Sequence, residues 1–172
     1  MNELEELDIF ESCLVELKNF EDHRGLYTKL VSKEILDYFH FEIEEINFIN
    51  SNKNTLRGLH LQDSEKNCSK MYYCLDGSTT SLQLDTRKQS PSYGNYMDVE
   101  LNSEDNKLLY VPHGVATGFF FQHNAKLVYW QSDRYKPKSE RVYNPSYFIK
   151  SLSLNNPIMS EKDKSSEIFK AL

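Results

Sequence analysis

One imidazole sits inside an apolar, strand-like run, Leu56-Arg57-Gly58-Leu59-His60-Leu61-Gln62, and an imidazole is the side chain that exchanges a proton most readily near neutral pH. Leu56, Leu59 and Leu61 read as a strand entering a core, while Arg57, His60 and Gln62 turn polar groups toward a cavity, with an imperfect alternation between them. Taken alone, such a histidine is more often a hydrogen-bonded core residue than a base, so a partner has to be found for it. Two further groups bear on chemistry. Arg24, in the turn Glu21-Asp22-His23-Arg24-Gly25, is either a solvated turn residue or a planar fork for an anion. Asp163 follows Ser160 at the spacing of a capping box, which gives it a plain role at the start of a helix.

The elements that must position these groups are mostly strands. Residues 9 to 20 have the apolar and β-branched character of one strand. Ser32 caps a short helix whose apolar positions are 35, 36 and 39, and residues 41 to 50 return to strand character before the turn at 51 to 54. After His60 comes a polar loop from Asp63 to Cys68, then a run from Lys70 to Leu75 and a returning run from Thr79 to Asp85. The Asp76-Gly77 pair between them is a strong hairpin signal. Four more short strands follow over 96 to 101, 107 to 111, 115 to 122 and 126 to 131, and a short helix starts at Ser160. Strands recurring at roughly 8 to 12 residues with no helix between them predict an all-β sandwich or small barrel trimmed by short helices. No linker or repeat divides the chain, so residues 1–172 are expected to form a single domain.

Composition bounds the function. A chain of 172 residues with 39% hydrophobic and 27% charged residues can bury a real core, and 11 Tyr and 10 Phe favour strands and aromatic-lined pockets. A net charge of -6 argues against a nucleic-acid or anionic-membrane surface, yet leaves room for an anionic small molecule held by local cations. Cys13, Cys68 and Cys74 are odd in number and lack C-x-x-C spacing, which suggests neither a disulfide framework nor a zinc site. The N-terminus is acidic where a signal peptide would be basic, and no apolar run approaches the roughly 20 residues that span a bilayer. A cytoplasmic protein is expected.

A barrel with an internal histidine invites a metal. The cupins, which the strand pattern resembles, commonly bind one through a His-x-His pair, a Glu and a later His. Here the first group supplies only His60, and the later position is occupied by Val115-Ala116-Thr117, where a threonine is a poor ligand. The residues therefore predict no metal, and no glycine-rich phosphate loop or G-x-S-x-G elbow is present.

Several motifs then fall in one order: Asp22-x-Arg24-Gly25, Leu56-Arg57-Gly58-Leu59-His60-x-Gln62, Lys70 ahead of Gly77, Asp85-x-Arg87, Ser90-Pro91-x-Tyr93-Gly94, Val111-Pro112-x-Gly114-x-Ala116-x-Gly118-Phe119, Tyr129, and Met159-Ser160-Glu161-Lys162-Asp163. Together they resemble the dTDP-4-dehydrorhamnose 3,5-epimerase family, sugar-nucleotide epimerases of the cupin class, over roughly residues 20 to 165. The resemblance implies a cupin-like antiparallel β-barrel or jelly roll with a few short peripheral helices, in a homodimer that exchanges N-terminal strands. It implies that His60 is the base, oriented by Asp163, that Lys70 stabilises the enolate oxygen, and that Tyr129 returns a proton to the opposite face. Arg24 and Arg57 match positions that hold the nucleotide diphosphate, and Tyr27, Asn47, Gln62, Ser81 and Thr117 fall around the substrate. The implied partner is a nucleotide-diphosphate sugar, with dTDP as the expected nucleotide, and no cofactor.

The chain departs from the family pattern at three places. Thr117 stands where a His is usual, Ser81 where an Asp is usual, and Lys29 where a Glu is common. The expected function is epimerisation of a nucleotide-linked 4-keto-6-deoxy sugar at C3, C5 or both, with a 3,4-ketoisomerase or a non-catalytic sugar-nucleotide-binding cupin as the alternatives.

Overall fold

The computed structural model describes residues 3–63 and 67–170. In chain order its strands are β1 (Leu4–Glu6), β2 (Cys13–Glu16), β3 (Asn19–Asp22), β4 (Gly25–Thr28), β5 (Glu45–Ser51), β6 (Thr55–Gln62), β7 (Lys70–Asp76), β8 (Ser78–Asp85), β9 (Tyr96–Asn102), β10 (Lys107–Val111), β11 (Val115–Phe121), β12 (Ala125–Gln131) and β13 (Glu140–Val142). The helices are α1 (Lys33–Tyr38), α2 (Ser146–Ser151) and α3 (Glu161–Lys164). One sheet runs β1-β2-β10-β7-β12-β5 and a second runs β13-β6-β11-β8-β9, while β3 and β4 form a separate ribbon. From β5 to β8 and again from β9 to β13 the chain crosses between the two large sheets at every step, which makes a jelly-roll-like sandwich of mostly antiparallel strands.

Alternation of side chains along each strand sorts the core into layers. Leu14, Leu109, Phe119, Phe121 and Leu127 fill the space between the sheets. The outer face of the six-stranded sheet, with Met71, Tyr73 and Trp130, is covered by α1 through Ile35 and by Phe41. The outer face of the five-stranded sheet, with Leu56, Leu59, Leu82 and Leu84, is covered by α2 through Phe148. Each such fully buried side chain contributes about 1.5–3 kcal/mol of transfer free energy. Ser32 caps α1 as expected, its Oγ accepting the Ile35 amide at 3.3 Å. All three cysteines are free and buried, and burial pushes the Cys13 thiol up to about 12.

Several local expectations change. The run from 9 to 20 is two strands, because Leu17 is tied by its amide and carbonyl to Asn106 and the chain then leaves the sheet for the β3–β4 ribbon. Asp76-Gly77 does not close a hairpin: β7 pairs with β10 and β12, and β8 with β11 and β9. Gly77, at φ +77, turns the chain from one sheet to the other so close to Asn124 that a Cβ would lie 2.8 Å from its carbonyl oxygen. The strand expected from 41 begins at Glu45, since Phe41 is spent on the outer core. The strands β1 and β13 and the helix α2 had no clear sequence signal, and the polar loop expected from Asp63 to Cys68 falls partly on 64–66, outside the described residues. Among the described residues no helix is long and apolar enough to cross a membrane.

Candidate active site

His60 owes its direction to an irregularity in β6. Against β11, Thr117 pairs with His60 and Phe119 with Arg57, so three steps on β6 oppose two on β11. This is a β-bulge, and it explains the imperfect alternation in the sequence. Leu56, Leu59 and Leu61 all pack on the outer side, while Arg57 and His60 keep to the inner one. The bulge depends on two glycines. Gly58 has φ +105, and a Cβ there would lie 2.7 Å from the Gly118 Cα and 2.8 Å from the Thr117 carbonyl oxygen.

Asp163 supplies the missing partner. Its Oδ1 lies 2.8 Å from His60 Nε2, and its Oδ2 accepts the Gly58 amide of the bulge at 3.4 Å. The Asp163 amide donates to Ser160 Oγ at 3.1 Å, so the helix cap exists and holds the backbone while the carboxylate turns to the histidine. Asp163 is only 3% exposed. Burial by itself would raise its carboxyl, but the hydrogen bond and charge of His60, the Gly58 amide and Ser160 outweigh that and hold it below its ordinary value. With the Nε2 proton directed to Asp163, the lone pair of a neutral ring lies on Nδ1.

That nitrogen faces a second carboxylate. Glu140 Oε1 is 3.2 Å from His60 Nδ1, and Oε2 accepts the Tyr135 hydroxyl at 2.8 Å and pairs with the Lys162 ammonium. Burial opposes the Glu140 charge, but Lys162, Tyr135 and His60 overcome it and lower its pKa. Nothing in the local sequence marks Glu140 as a site residue, because β13 is three residues long and carries no strand-like alternation; pairing of β13 with β6 brings it there.

The opposite wall comes from the six-stranded sheet. Lys70 and Tyr72 alternate onto the inner face of β7, with Tyr129 of β12 in register with Tyr72 on one side and Asn47 of β5 on the other. Burial lowers the Lys70 pKa, partly offset by the nearby Cys68 and Glu140. It raises that of Tyr129, helped by Glu45, Cys68 and Glu140. Glu140 lies 3.2 Å from His60, and its charge also bears on Lys70 and Tyr129 of the facing sheet. Neither the Lys70 ammonium nor the Tyr129 hydroxyl has a hydrogen-bond partner among the described residues.

Beyond His60 the inner face of the second sheet carries the neutral row Gln83, Thr117, His60, with Ser81 one pair further along. Ser81 and Gln83 are wholly buried, and Ser81 Oγ, Gln83 Nε2 and Asn47 Nδ2 meet no partner among the described residues. Buried polar atoms are rarely left so unless something else meets them. Of the other expected residues, Arg57 remains exposed with Nε bonded to Ser51 Oγ at 3.3 Å. Gln62 is spent on the loop after β12, donating to the Arg134 carbonyl at 2.6 Å and accepting the Lys136 amide at 3.1 Å. Arg24 and Tyr27 lie apart on the β3–β4 ribbon, where Arg24 clasps Asp22 at 2.6 Å. No three His, Cys, Asp or Glu side chains gather as metal ligands among the described residues.

The arrangement has known counterparts. The family model described as dTDP-4-dehydrorhamnose 3,5-epimerase matches residues 6–171. A dTDP-4-dehydrorhamnose 3,5-epimerase from Shigella flexneri is 28% identical over 168 residues, covering 94% of this chain and 93% of the relative. The crystal structure of dTDP-6-deoxy-D-glucose-3,5-epimerase from Legionella pneumophila, in complex with dTDP-4-keto-L-rhamnose, superposes with a TM-score of 0.86 at 26% identity, covering 98% of this chain and 93% of that one. The structure of ChmJ, a 3′-monoepimerase from Streptomyces bikiniensis in complex with dTDP-quinovose, gives a TM-score of 0.84 at 25% identity, covering 94% and 85%.

Proposed function

Because the chain belongs to the dTDP-4-dehydrorhamnose 3,5-epimerase family, we propose that it inverts a carbon next to the 4-keto group of a dTDP-linked 4-keto-6-deoxy sugar, at C3, C5 or both, with His60 as the base. The observation that carries this reading is the placement of His60, 2.8 Å from Asp163, on the wall facing Lys70 and Tyr129, two donors with no hydrogen-bond partner among the described residues. Nδ1 takes the proton from the carbon, the C–H electron pair forms the carbon–carbon double bond of an enolate, and the carbonyl pair moves onto oxygen. Lys70 balances the charge on that oxygen, while Asp163 and Glu140 flank the ring that has become cationic. Tyr129 then gives its proton to the carbon from the opposite face, the oxygen pair returns to the carbonyl, and the centre is inverted. The exchange of protons with solvent restores both side chains, so atoms balance without an oxidant.

The same reading assigns Asn47, Ser81 and Thr117 to the sugar's polar groups, which the unpaired Asn47 Nδ2 and Ser81 Oγ support. Arg57, exposed at the mouth, suits the diphosphate, and Gln62 acts by holding the loop that carries Asp133 to Lys136. Arg24 and Tyr27 reach a site in a cytoplasmic homodimer, where the ribbon of one chain lies against its partner. The bare apolar side chains Phe20, Leu26 and Tyr27 on the ribbon and Ile46 and Phe48 on the edge strand β5 support such a partner. Incubation with dTDP-4-keto-6-deoxyglucose in heavy water is expected to place deuterium at C3, C5 or both. A folded protein that exchanges neither position, or whose product carries its keto group at C3, contradicts the proposal.

A further inference from the structure

Tyr72 is an inner-face residue that the proposed mechanism leaves without a task. It lies two residues after Lys70 on the same face of β7 and directly opposite Tyr129 on β12. Its ring is held on both sides, 5.3 Å from Tyr129 and 4.7 Å from Phe119, so its hydroxyl has little freedom to wander. The ring reaches across the space between the sheets to Phe119, which stands two residues along β11 from Thr117, the cross-strand neighbour of His60. Tyr72 therefore stands on the wall opposite the base and packs against the strand that pairs with it. An enolate oxygen is two bonds from the carbon that the base deprotonates, and Tyr72, two residues from Lys70 on one face of β7, stands beside the group assigned to that oxygen.

Resting on the epimerase reading above, we propose that Tyr72 is a second donor to the enolate oxygen, acting with Lys70 as a two-point clamp. Two donors have a physical reason here. Desolvation works against the Lys70 charge, so its ammonium alone is a weakened clamp, while the same burial keeps the Tyr72 phenol protonated and available to donate. Thr117, whose own hydroxyl points to the Val115 carbonyl at 3.4 Å, brings no charge to compete with the substrate. Tyr72 is the group that occupies the depth of the site where the chain carries Thr117 and Ser81 in place of an imidazole and a carboxylate.

The test is Tyr72→Phe, which keeps the ring between Tyr129 and Phe119, beside Tyr73→Phe, which removes a hydroxyl bonded to Asn106 on the outer face. A donor used only as charge develops costs kcat and leaves KM nearly alone, so Tyr72→Phe is expected to lower kcat by about ten- to a hundredfold with KM changed less than about threefold. Tyr73→Phe is expected to keep wild-type kcat, and Lys70→Gln combined with Tyr72→Phe is expected to be less than additive, because both donors serve one oxygen. An unchanged kcat, a loss confined to KM, or an equal loss in Tyr73→Phe overturns the inference. If wild-type protein exchanges deuterium and Tyr72→Phe matches it, the inference alone fails; if the wild type exchanges none, the epimerase reading fails and takes the inference with it.

Discussion

At His60 the two ring nitrogens have separate tasks, Nε2 toward Asp163 and Nδ1 toward the interior and Glu140. Replacing Asp163 with Asn leaves the Ser160 cap intact, since that bond is made by the backbone amide, but it removes the carboxylate that fixes the tautomer. Asp163→Asn is therefore expected to lower deuterium exchange by roughly 10²-fold or more while the thermal midpoint moves only a little. Glu140→Gln should also slow exchange, and by less, because Glu140 lies 3.2 Å from Nδ1 while Asp163 holds Nε2 at 2.8 Å and the Gly58 amide of the bulge as well. Asp163 was open to either reading in the sequence. The capping-box spacing was correct, and only the resemblance gave it a second role; in the structure the backbone amide makes the cap and the carboxylate stands 2.8 Å from His60 Nε2. Glu140 had no local signal at all, since its place depends on a pairing between segments about eighty residues apart.

At the scale of elements, the bulge in β6 aims His60, and it exists because Gly58 and Gly118 pass each other without side chains. Gly58→Ala forces a Cβ to within 2.7 Å of the Gly118 Cα at a positive φ. Calorimetry is expected to show a loss on the order of 1–3 kcal/mol, together with reduced exchange because His60 is turned from its place. The end of β8 gives a pH prediction. Burial would raise the Asp85 carboxyl, but Arg87, Ser90 and Ser92 hold it down at about 2 against 3.8 when unfolded. A carboxyl lowered on folding stabilises above its unfolded value and loses that contribution as pH falls through the folded one. After solvent screening this amounts to on the order of 1 kcal/mol, lost between pH 3.8 and about 2, and Asp85→Asn should flatten the urea midpoint in that window. Strand existence was legible because period-2 patterns are local; the partner of each strand was not. Asp76-Gly77 shows the reason, since a glycine at positive φ serves a hairpin and a crossing between sheets equally well.

At the scale of the molecule, the sandwich keeps its chemistry on inner faces and leaves a bare ribbon and a bare edge strand outside. If these meet a second copy, light scattering should report twice the mass of one chain. Phe48→Asp, on the β5 edge and far from the inner row, should weaken association. The fold class was readable from the spacing of strands, and the order of motifs carried the family. What the sequence could not show is that Tyr72 packs across the sandwich on Phe119, because that contact joins strands that are neighbours neither in the chain nor in one sheet.

The central claim is that His60 takes a proton from the carbon beside a keto group. Proton NMR of dTDP-4-keto-6-deoxyglucose in heavy water, with wild-type protein beside His60→Asn, tests it most directly. The account predicts deuterium at C3, C5 or both with wild type, and a loss of rate of roughly 10²-fold or more in His60→Asn at an unchanged fold. Exchange that continues at the wild-type rate without the imidazole would contradict it.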